Sequence, residues 1–380
     1  MFKLHYSLNL LVWAVLCKAF KRSGRNIDSL CPAHILVMLN GQIGDVVQTT
    51  PVLRSLKTKW PKAEIDYCVC KNSMDGLTNN PNIRQIVKAD EYGPWSLLKP
   101  VSIIKLARTL KKNNYDLAVC LGNDATYGIV ARMAGIKYIA GLIDKEYKNA
   151  FLDLYVYAPY NEKRPRVEYF RMLGESIRLD FAKGLLPEVF WTKQDEALID
   201  GIIKAQNKPL IAIFAGTGPN AFRPWAKRSW PVKNWAELIQ KLLTEYPDAG
   251  FVLLGRGGDR EVNKEIILSA KAENICDLTD KTTYPQLAYA LSKCNLLVST
   301  DSSPVFAAAA VNCPLVVMYG PEWPQRSQPV GAQYWRPVTI DMVCREYCCS
   351  FPAKAPVCNN ECMKNIPAQQ VLEMIKTVLK

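Results

Sequence analysis

Asp45 ends a short segment, Asn40-Gly41-Gln42-Ile43-Gly44-Asp45, in which two glycines precede a carboxylate. Glycine lets a backbone approach a ligand closely, and a carboxylate at a pocket edge can take a proton from a hydroxyl nucleophile. Aspartate also caps helices, so general base and helix N-cap both stand as readings of Asp45. A second segment, Gly216-Thr217-Gly218, is followed by Lys227-Arg228-Ser229-Trp230-Pro231. Backbone amides and the Thr217 hydroxyl could bind a phosphate there, and the Lys227-Arg228 pair could neutralise a diphosphate leaving group. The plain alternative is a solvated basic loop; the segment does not match the Walker A pattern. A third segment, Asp301-Ser302-Ser303-Pro304, leads into the small-residue run Ala307–Ala310. Short polar residues satisfy the free amides of a helix start, so capping alone could explain them. The functional reading holds a diphosphate on that helix N-terminus, with Asp301 gripping sugar hydroxyls.

These segments sit where strands should pass into helices. His34–Leu39 is a short apolar run and predicts a buried strand. Val46–Trp60 has helical periodicity, with Pro51 in its first turns. Glu64–Cys70 predicts a strand, Ile103–Lys112 a helix and Asp116–Leu121 a strand. The rhythm restarts with strands at Pro209–Phe214, Gly250–Leu254, Leu296–Ser299 and Leu315–Tyr319. Helices are expected between and after them at Lys233–Tyr246, Arg260–Ala270, Pro285–Ser292 and Val305–Val311. Such alternation predicts α/β units with parallel sheets, and ligands gather at the carboxyl ends of their strands. The expected division is an N-terminal amphipathic helix and linker over 1–30, a first Rossmann-like domain over 31–185, a second over 186–340, and a Cys-rich segment with a C-terminal helix over 341–380.

Composition narrows the partners. The 380 residues carry 48 Lys and Arg against 35 Asp and Glu, a net charge of +13. That balance favours an anionic partner. The cations are scattered, as at Lys57, Lys59 and Lys62, without the compact basic block that nucleic acid binding uses. The run Leu4–Phe20 includes His5, Ser7, Asn9 and Lys18, too short and too polar to span a bilayer. Leu4, Leu8, Leu11, Val12 and Val15 define one helical face, and Lys18, Lys21, Arg22 and Arg25 could reach anionic headgroups. A helix packed on the protein's own surface is the equal alternative.

Of the 13 cysteines, five crowd the C-terminal region. Cys344, Cys348, Cys358 and Cys362 form two close pairs around a short loop, compatible with a structural tetrathiolate site for zinc or iron. Free thiols and disulfides are the other readings, disulfides being disfavoured in a reducing compartment. The remaining eight are scattered through apolar runs and read as buried free thiols.

Taken in order, His34–Arg54, Lys227–Leu238, Phe251–Gly255 and Asn295–Pro321 resemble the lipopolysaccharide heptosyltransferase family of GT-B glycosyltransferases. The resemblance spans most of residues 31–330. It implies two Rossmann-like domains facing across a cleft, with Asp45 as catalytic base. It places a nucleotide-sugar donor of the ADP-heptose type on the C-terminal domain, with Gly216, Thr217 and Lys227 at the diphosphate. Asp301, Ser302 and Ser303 would hold sugar and phosphates, and Asp259 would contact the ribose. The implied reaction is inverting, metal-independent transfer of heptose or a related sugar onto lipopolysaccharide core or a related lipid-linked surface glycan. It implies a cytoplasmic enzyme, peripheral on the inner membrane of a Gram-negative bacterium. The family pattern D-[ST]-G-P-x-H is broken here, because Ser303 stands for the glycine and Phe306 for the histidine. Some family members that glycosylate proteins carry a cysteine-bound iron finger, and the cysteine tail is similar in kind. A protein (autotransporter-type) glycosyltransferase and a non-catalytic GT-B-like subunit of a glycan assembly complex therefore remain as alternatives.

Overall fold

The computed structural model describes residues 27–89, 100–159, 161, 163–203, 208–216, 228–342 and 360–379. The expected N-terminal helix, Thr217, Lys227, Cys344, Cys348 and Cys358 lie outside the described residues. The chain forms two compact units, one from the spans Met1–Asn161 and Arg166–Leu185, the other from Glu162–Pro165 and Leu186–Lys380.

The first unit is built on strands β1 (His34–Met38), β2 (Glu64–Val69), β3 (Gln85–Lys88), β4 (Leu117–Cys120), β5 (Tyr138–Ile143) and β6 (Leu154–Tyr157). Their spatial order is β3-β2-β1-β4-β5-β6, and every neighbouring pair is parallel. Helices α1 (Ile43–Val47), α2 (Thr50–Lys59), α3 (Pro100–Lys111), α4 (Ala125–Met133) and α5 (Arg166–Ser176) accompany them. The single helix expected over Val46–Trp60 is broken in two. Pro51 has no N–H to offer the Val47 carbonyl, and the Thr50 hydroxyl takes that carbonyl at 2.8 Å instead. Thr49 does the same to Val46 at 2.6 Å, so the first helix stops and Pro51 starts the second.

The second unit repeats the plan with β7 (Leu210–Phe214), β8 (Gly250–Leu254), β9 (Ile275–Asp277), β10 (Leu296–Thr300), β11 (Leu315–Met318) and β12 (Trp335–Val338). The order is β12-β11-β10-β7-β8-β9, again parallel throughout. Its helices are α6 (Lys193–Ile202), α7 (Val232–Glu245), α8 (Arg260–Ala270), α9 (Tyr284–Ser292), α10 (Pro304–Ala310), α11 (Pro324–Ser327), α12 (Glu361–Lys364) and α13 (Ala368–Lys376). Apolar residues of α7 recur at Trp235, Leu238, Ile239 and Leu242 and are fully buried, each contributing roughly 1.5–3 kcal/mol. The chain's last helix joins the same core through Val371, Leu372 and Ile375. The indole of Trp230 donates to the Ile366 carbonyl at 3.0 Å, which ties this segment to the start of α7.

In both sheets the chain starts at the centre, moves outward one way, then crosses back to build the other side. The reversal separates β1 from β4 in one unit and β7 from β10 in the other. Loops leaving the two central strands diverge there, which opens a crevice at the carboxyl edge.

Candidate active site

In the first unit that edge carries the Asp45 loop. The loop leaves β1, and the Asn40 amide donates to the Tyr127 hydroxyl at 2.9 Å, bridging to α4, which follows β4. Tyr127 can cross because residue 122 is glycine; a β-carbon there would sit 2.2 Å from the Tyr127 ring. Burial pushes the Tyr127 phenol well above its ordinary value, so it stays neutral and keeps its hydrogen-bonding role. On the other side the Ser73 hydroxyl donates to the Gly41 carbonyl at 2.7 Å. The first two residues of the loop are therefore held from two neighbouring elements.

Asp45 is the third residue of α1, with Gln42 as the N-cap, and its carboxylate accepts the Gln42 amide at 3.3 Å. The N-cap is thus Gln42 and not Asp45, which supports the helix start from its third position and keeps one oxygen for other work. That oxygen, Oδ1, accepts a short charge-assisted hydrogen bond from Arg166 Nη1 at the start of α5. The Asp45 side chain is 26% exposed and Arg166 36% exposed, so the pair is partly open to solvent. A carboxylate anchored by two donors is preoriented, and its exposed face can meet a hydroxyl. Lys148 adds a second cation at this edge; it is nearly buried, pairs with Asp144 at 2.7 Å and donates to the Asn123 carbonyl at 3.1 Å.

In the second unit the Gly216 carbonyl, just beyond β7, accepts the Thr300 hydroxyl at the end of β10 at 3.0 Å. Gly216 also lies directly against Asp259: a β-carbon at 216 would fall 2.0 Å from Asp259 Oδ1. Asp259 is buried, and its other oxygen accepts the Arg256 amide at 3.0 Å. The structure thus packs Gly216, after β7, directly against Asp259, after β8. Asp301 is buried too, and Arg228 reaches it twice, at 3.0 Å to carboxylate Oδ2 and at 3.0 Å to the backbone carbonyl. The sequence reading set Arg228 against a diphosphate, whereas its partners here are carboxylates. Glu322 lies 3.9 Å from Arg228 and 2.9 Å from Arg326, so among the described residues two carboxylates and two guanidinium ions gather here. Burial, reinforced by the Asp301 carboxylate, pushes the neighbouring Tyr319 phenol well above its ordinary value.

Ser302 donates to the Thr300 carbonyl at 3.0 Å, and Ser303 is the N-cap of α10 without a side-chain cap bond. The capping expected of this segment is therefore not made by the Ser303 hydroxyl. Tyr284 of α9 instead donates to the Ser303 carbonyl at 2.9 Å and fixes the turn. Phe306 is buried on α10. Cys362 is buried in the core and packs against Gly320, while its three expected partners lie outside the described residues. Among the described residues no group of metal-ligating side chains is assembled, and the eight described cysteines are free thiols.

The sequence reading missed Arg166, Glu322, Arg326 and Lys148. Nothing local marks them. Each reaches its partners through the folding of its own unit, and Arg166 joins Asp45 across 121 positions.

Known proteins share this architecture. Residues 103–352, more than half of the chain, match glycosyltransferase family 9 (heptosyltransferase). Lipopolysaccharide heptosyltransferase 2 of Escherichia coli K12 is 26% identical over 322 residues, covering 78% of this chain and 85% of that protein. Among solved structures, a family 9 glycosyl transferase of Veillonella parvula superposes with a TM-score of 0.74 at 19% identity, covering 91% of this chain and 97% of that one. The E. coli ADP-heptose lps heptosyltransferase II superposes with a TM-score of 0.70 at 23% identity, covering 91% and 98%. The structural likenesses show the GT-B fold, and with them the expected α/β class. The chain belongs to glycosyltransferase family 9, the heptosyltransferase family, and is a glycosyltransferase.

Proposed function

We propose that this enzyme moves heptose, or a closely related sugar, from a nucleotide-sugar of the ADP-heptose type onto lipopolysaccharide core or a related surface glycan. The observation that carries the reading is Asp45: a partly exposed carboxylate at the switch point of the first sheet, held by Arg166 and the Gln42 amide. Asp45 takes the proton of an acceptor hydroxyl as that oxygen bonds to the anomeric carbon. The bond from that carbon to the diphosphate oxygen breaks, its electron pair leaves with the nucleoside diphosphate, and one displacement inverts the centre. The reaction needs no catalytic metal if cationic side chains and amides stabilise the leaving group; Thr217 and Lys227, with the Gly216 turn, are assigned that task. Asp301, Ser302 and Ser303 are assigned to the sugar and phosphates, and Asp259 supports the Gly216 turn beside the ribose. The relatives named for lipopolysaccharide and ADP-heptose support this substrate pair. A structural zinc or iron on Cys344, Cys348, Cys358 and Cys362, and a peripheral site on the inner membrane, belong to the same proposal and rest on sequence alone.

The test is mass spectrometry of products from a panel of ADP-, GDP- and UDP-sugars with truncated lipopolysaccharide acceptors. One added heptose from the ADP donor is expected, persisting in EDTA. Asp45→Asn should lower turnover by about 10²–10⁴-fold while nucleotide binding is kept. No transfer from any donor, or full activity of the Asn variant, would overturn the reading. Metal analysis of the intact protein decides the cysteine site.

A further inference from the structure

Helix α1, which carries Asp45, has five residues and is held along its flank and beyond its end. A β-carbon at Gly76 would fall 2.7 Å from Val47 Cγ2 and 3.0 Å from Ile43 Cγ1, so the turn Lys71–Leu77 lies in close contact with the helix. Past the helix end, Thr49 donates to the Val46 carbonyl, and the buried Tyr67 hydroxyl donates to Thr49 at 2.9 Å. With α1 held in this way, the backbone that can shift against Asp45 is the segment leading into the helix.

Gly41 of that segment is a wall of the carboxylate's surroundings. A β-carbon there would lie 3.0 Å from Asp45 Cβ and 3.2 Å from Oδ2, so the Gly41 backbone rests on the Asp45 side chain. Oδ2 is also the oxygen that accepts the Gln42 amide. Two hydroxyls from distant parts of the chain take hold of this wall. Tyr127 of α4 accepts the Asn40 amide at 2.9 Å, and Ser73 donates to the Gly41 carbonyl at 2.7 Å. The Cys70 thiol backs Ser73, 3.5 Å from its hydroxyl and 3.6 Å from the same carbonyl. Tyr127 and Ser73 are both buried, so water competes little for these bonds.

We propose that Tyr127 and Ser73 are positioning residues for sugar transfer. They hold the Asn40-Gly41 backbone against Asp45 and so fix the direction in which its carboxylate meets the acceptor hydroxyl. They act through that backbone, and this rests on Asp45 acting as the base. An ordinary loop anchor serves stability alone. What distinguishes this pair is that the backbone it holds is in contact with the base itself. A base displaced by about 1 Å can lose on the order of 100-fold in rate, so a loosened wall should be felt in turnover before it is felt in binding.

The experiment is kinetics of the full chain with ADP-heptose and a truncated lipopolysaccharide acceptor, with kcat referred to folded protein. Tyr127→Phe keeps the ring in the space that Gly122 leaves and removes its hydroxyl; Ser73→Ala removes the other. Each should lower kcat about 10-fold, and the two together on the order of 100-fold, with the donor KM unchanged. In an Asp45→Asn background the same changes should alter the residual rate by less than about 2-fold, because no base is left to aim. Wild-type kcat per folded molecule in both single variants would overturn the proposal by making the hydroxyls structural anchors. A loss in the Asp45→Asn background as large as in the wild type would also overturn it, because they would then act elsewhere than on the base. Full activity of Asp45→Asn would sink the reading of the base and this inference with it, a failure read from that variant alone.

Discussion

Arg166, the first residue of α5, donates a charge-assisted hydrogen bond to Asp45, the third residue of α1. With the Gln42 amide it leaves the carboxylate little freedom to turn. Proton transfer depends on such orientation, and a displacement of about 1 Å can cost on the order of 100-fold in rate. Arg166→Gln should therefore lower kcat by roughly 10–100-fold while leaving the KM for the donor nearly unchanged. Arg166→Lys, which keeps the charge but loses the guanidinium geometry, should recover part of the loss. A purely structural role for Arg166 predicts something else: both variants would lose stability, and kcat per folded molecule would not move.

Gly216 and Asp259 form the second relationship that a single substitution can probe. Gly216→Ala places a β-carbon 2.0 Å from Asp259 Oδ1, a contact that cannot be kept. Asp259 cannot swing freely, because it is buried and holds the Arg256 amide. The substitution should cost about 1–3 kcal/mol in unfolding free energy. In an Asp259→Gly background the obstruction is gone, so the same change should cost clearly less, a coupling of about 1 kcal/mol or more. Urea unfolding of the four forms measures this, and strict additivity would show that the contact carries no energy.

Much of this organisation is legible from residue types, and the boundary of legibility is physical. Buried central strands such as Gly250–Leu254 and His34–Met38 are continuous apolar runs, so they stand out. The edge strands do not. Leu154–Tyr157 alternates between exposed and half-buried positions, Ile275–Asp277 is three residues long, and Trp335–Val338 contains Pro337. Asp45 could be found because glycines precede it at a strand end. Arg166 could not, since its role exists only once α5 packs beside the first sheet. Arg228 was visible as a cation next to a glycine loop, but its partners come from the ends of β10 and β11, much later in the chain.

Arg228 holds Asp301 and lies near Glu322, and both carboxylates are almost fully buried. Arg228→Met removes one cation from beside two buried carboxylates, while Arg326 keeps its pair with Glu322. Breaking a buried pair on one side costs about 3–5 kcal/mol, because the remaining charge loses its compensation. The variant should unfold at distinctly lower temperature. Adding Asp301→Asn removes the carboxylate that Arg228 held, and it should restore much of that stability without restoring nucleotide-sugar affinity if Asp301 touches the donor. Differential scanning calorimetry and donor titration, made on the same three forms, separate the two roles. Recovery of both together would remove Asp301 from the donor site.

Asp66 gives the protein an acid limit that can be signed in advance. Its carboxylate is buried in β2, and burial alone would raise its pKa. Hydrogen bonds from Arg84, Tyr115 and Gln85 outweigh that and hold it below the ordinary aspartate value of 3.8. A carboxyl whose folded value is depressed contributes stability that is fully present above its unfolded value. That contribution is lost as pH falls through the folded value. Stability should thus be level with respect to this group above about pH 5 and decline progressively below about pH 4. Asp66→Asn cannot ionise, so it should be less stable at neutral pH and should shed part of the acid decline. The remainder belongs to carboxylates such as Asp116, which Lys137 and two backbone amides depress in the same direction despite partial burial. Unfolding free energies of wild type and variant measured from pH 7 to pH 3 should therefore converge toward the acid end. Parallel curves would mean that Asp66 keeps the same protonation in the folded and unfolded chains.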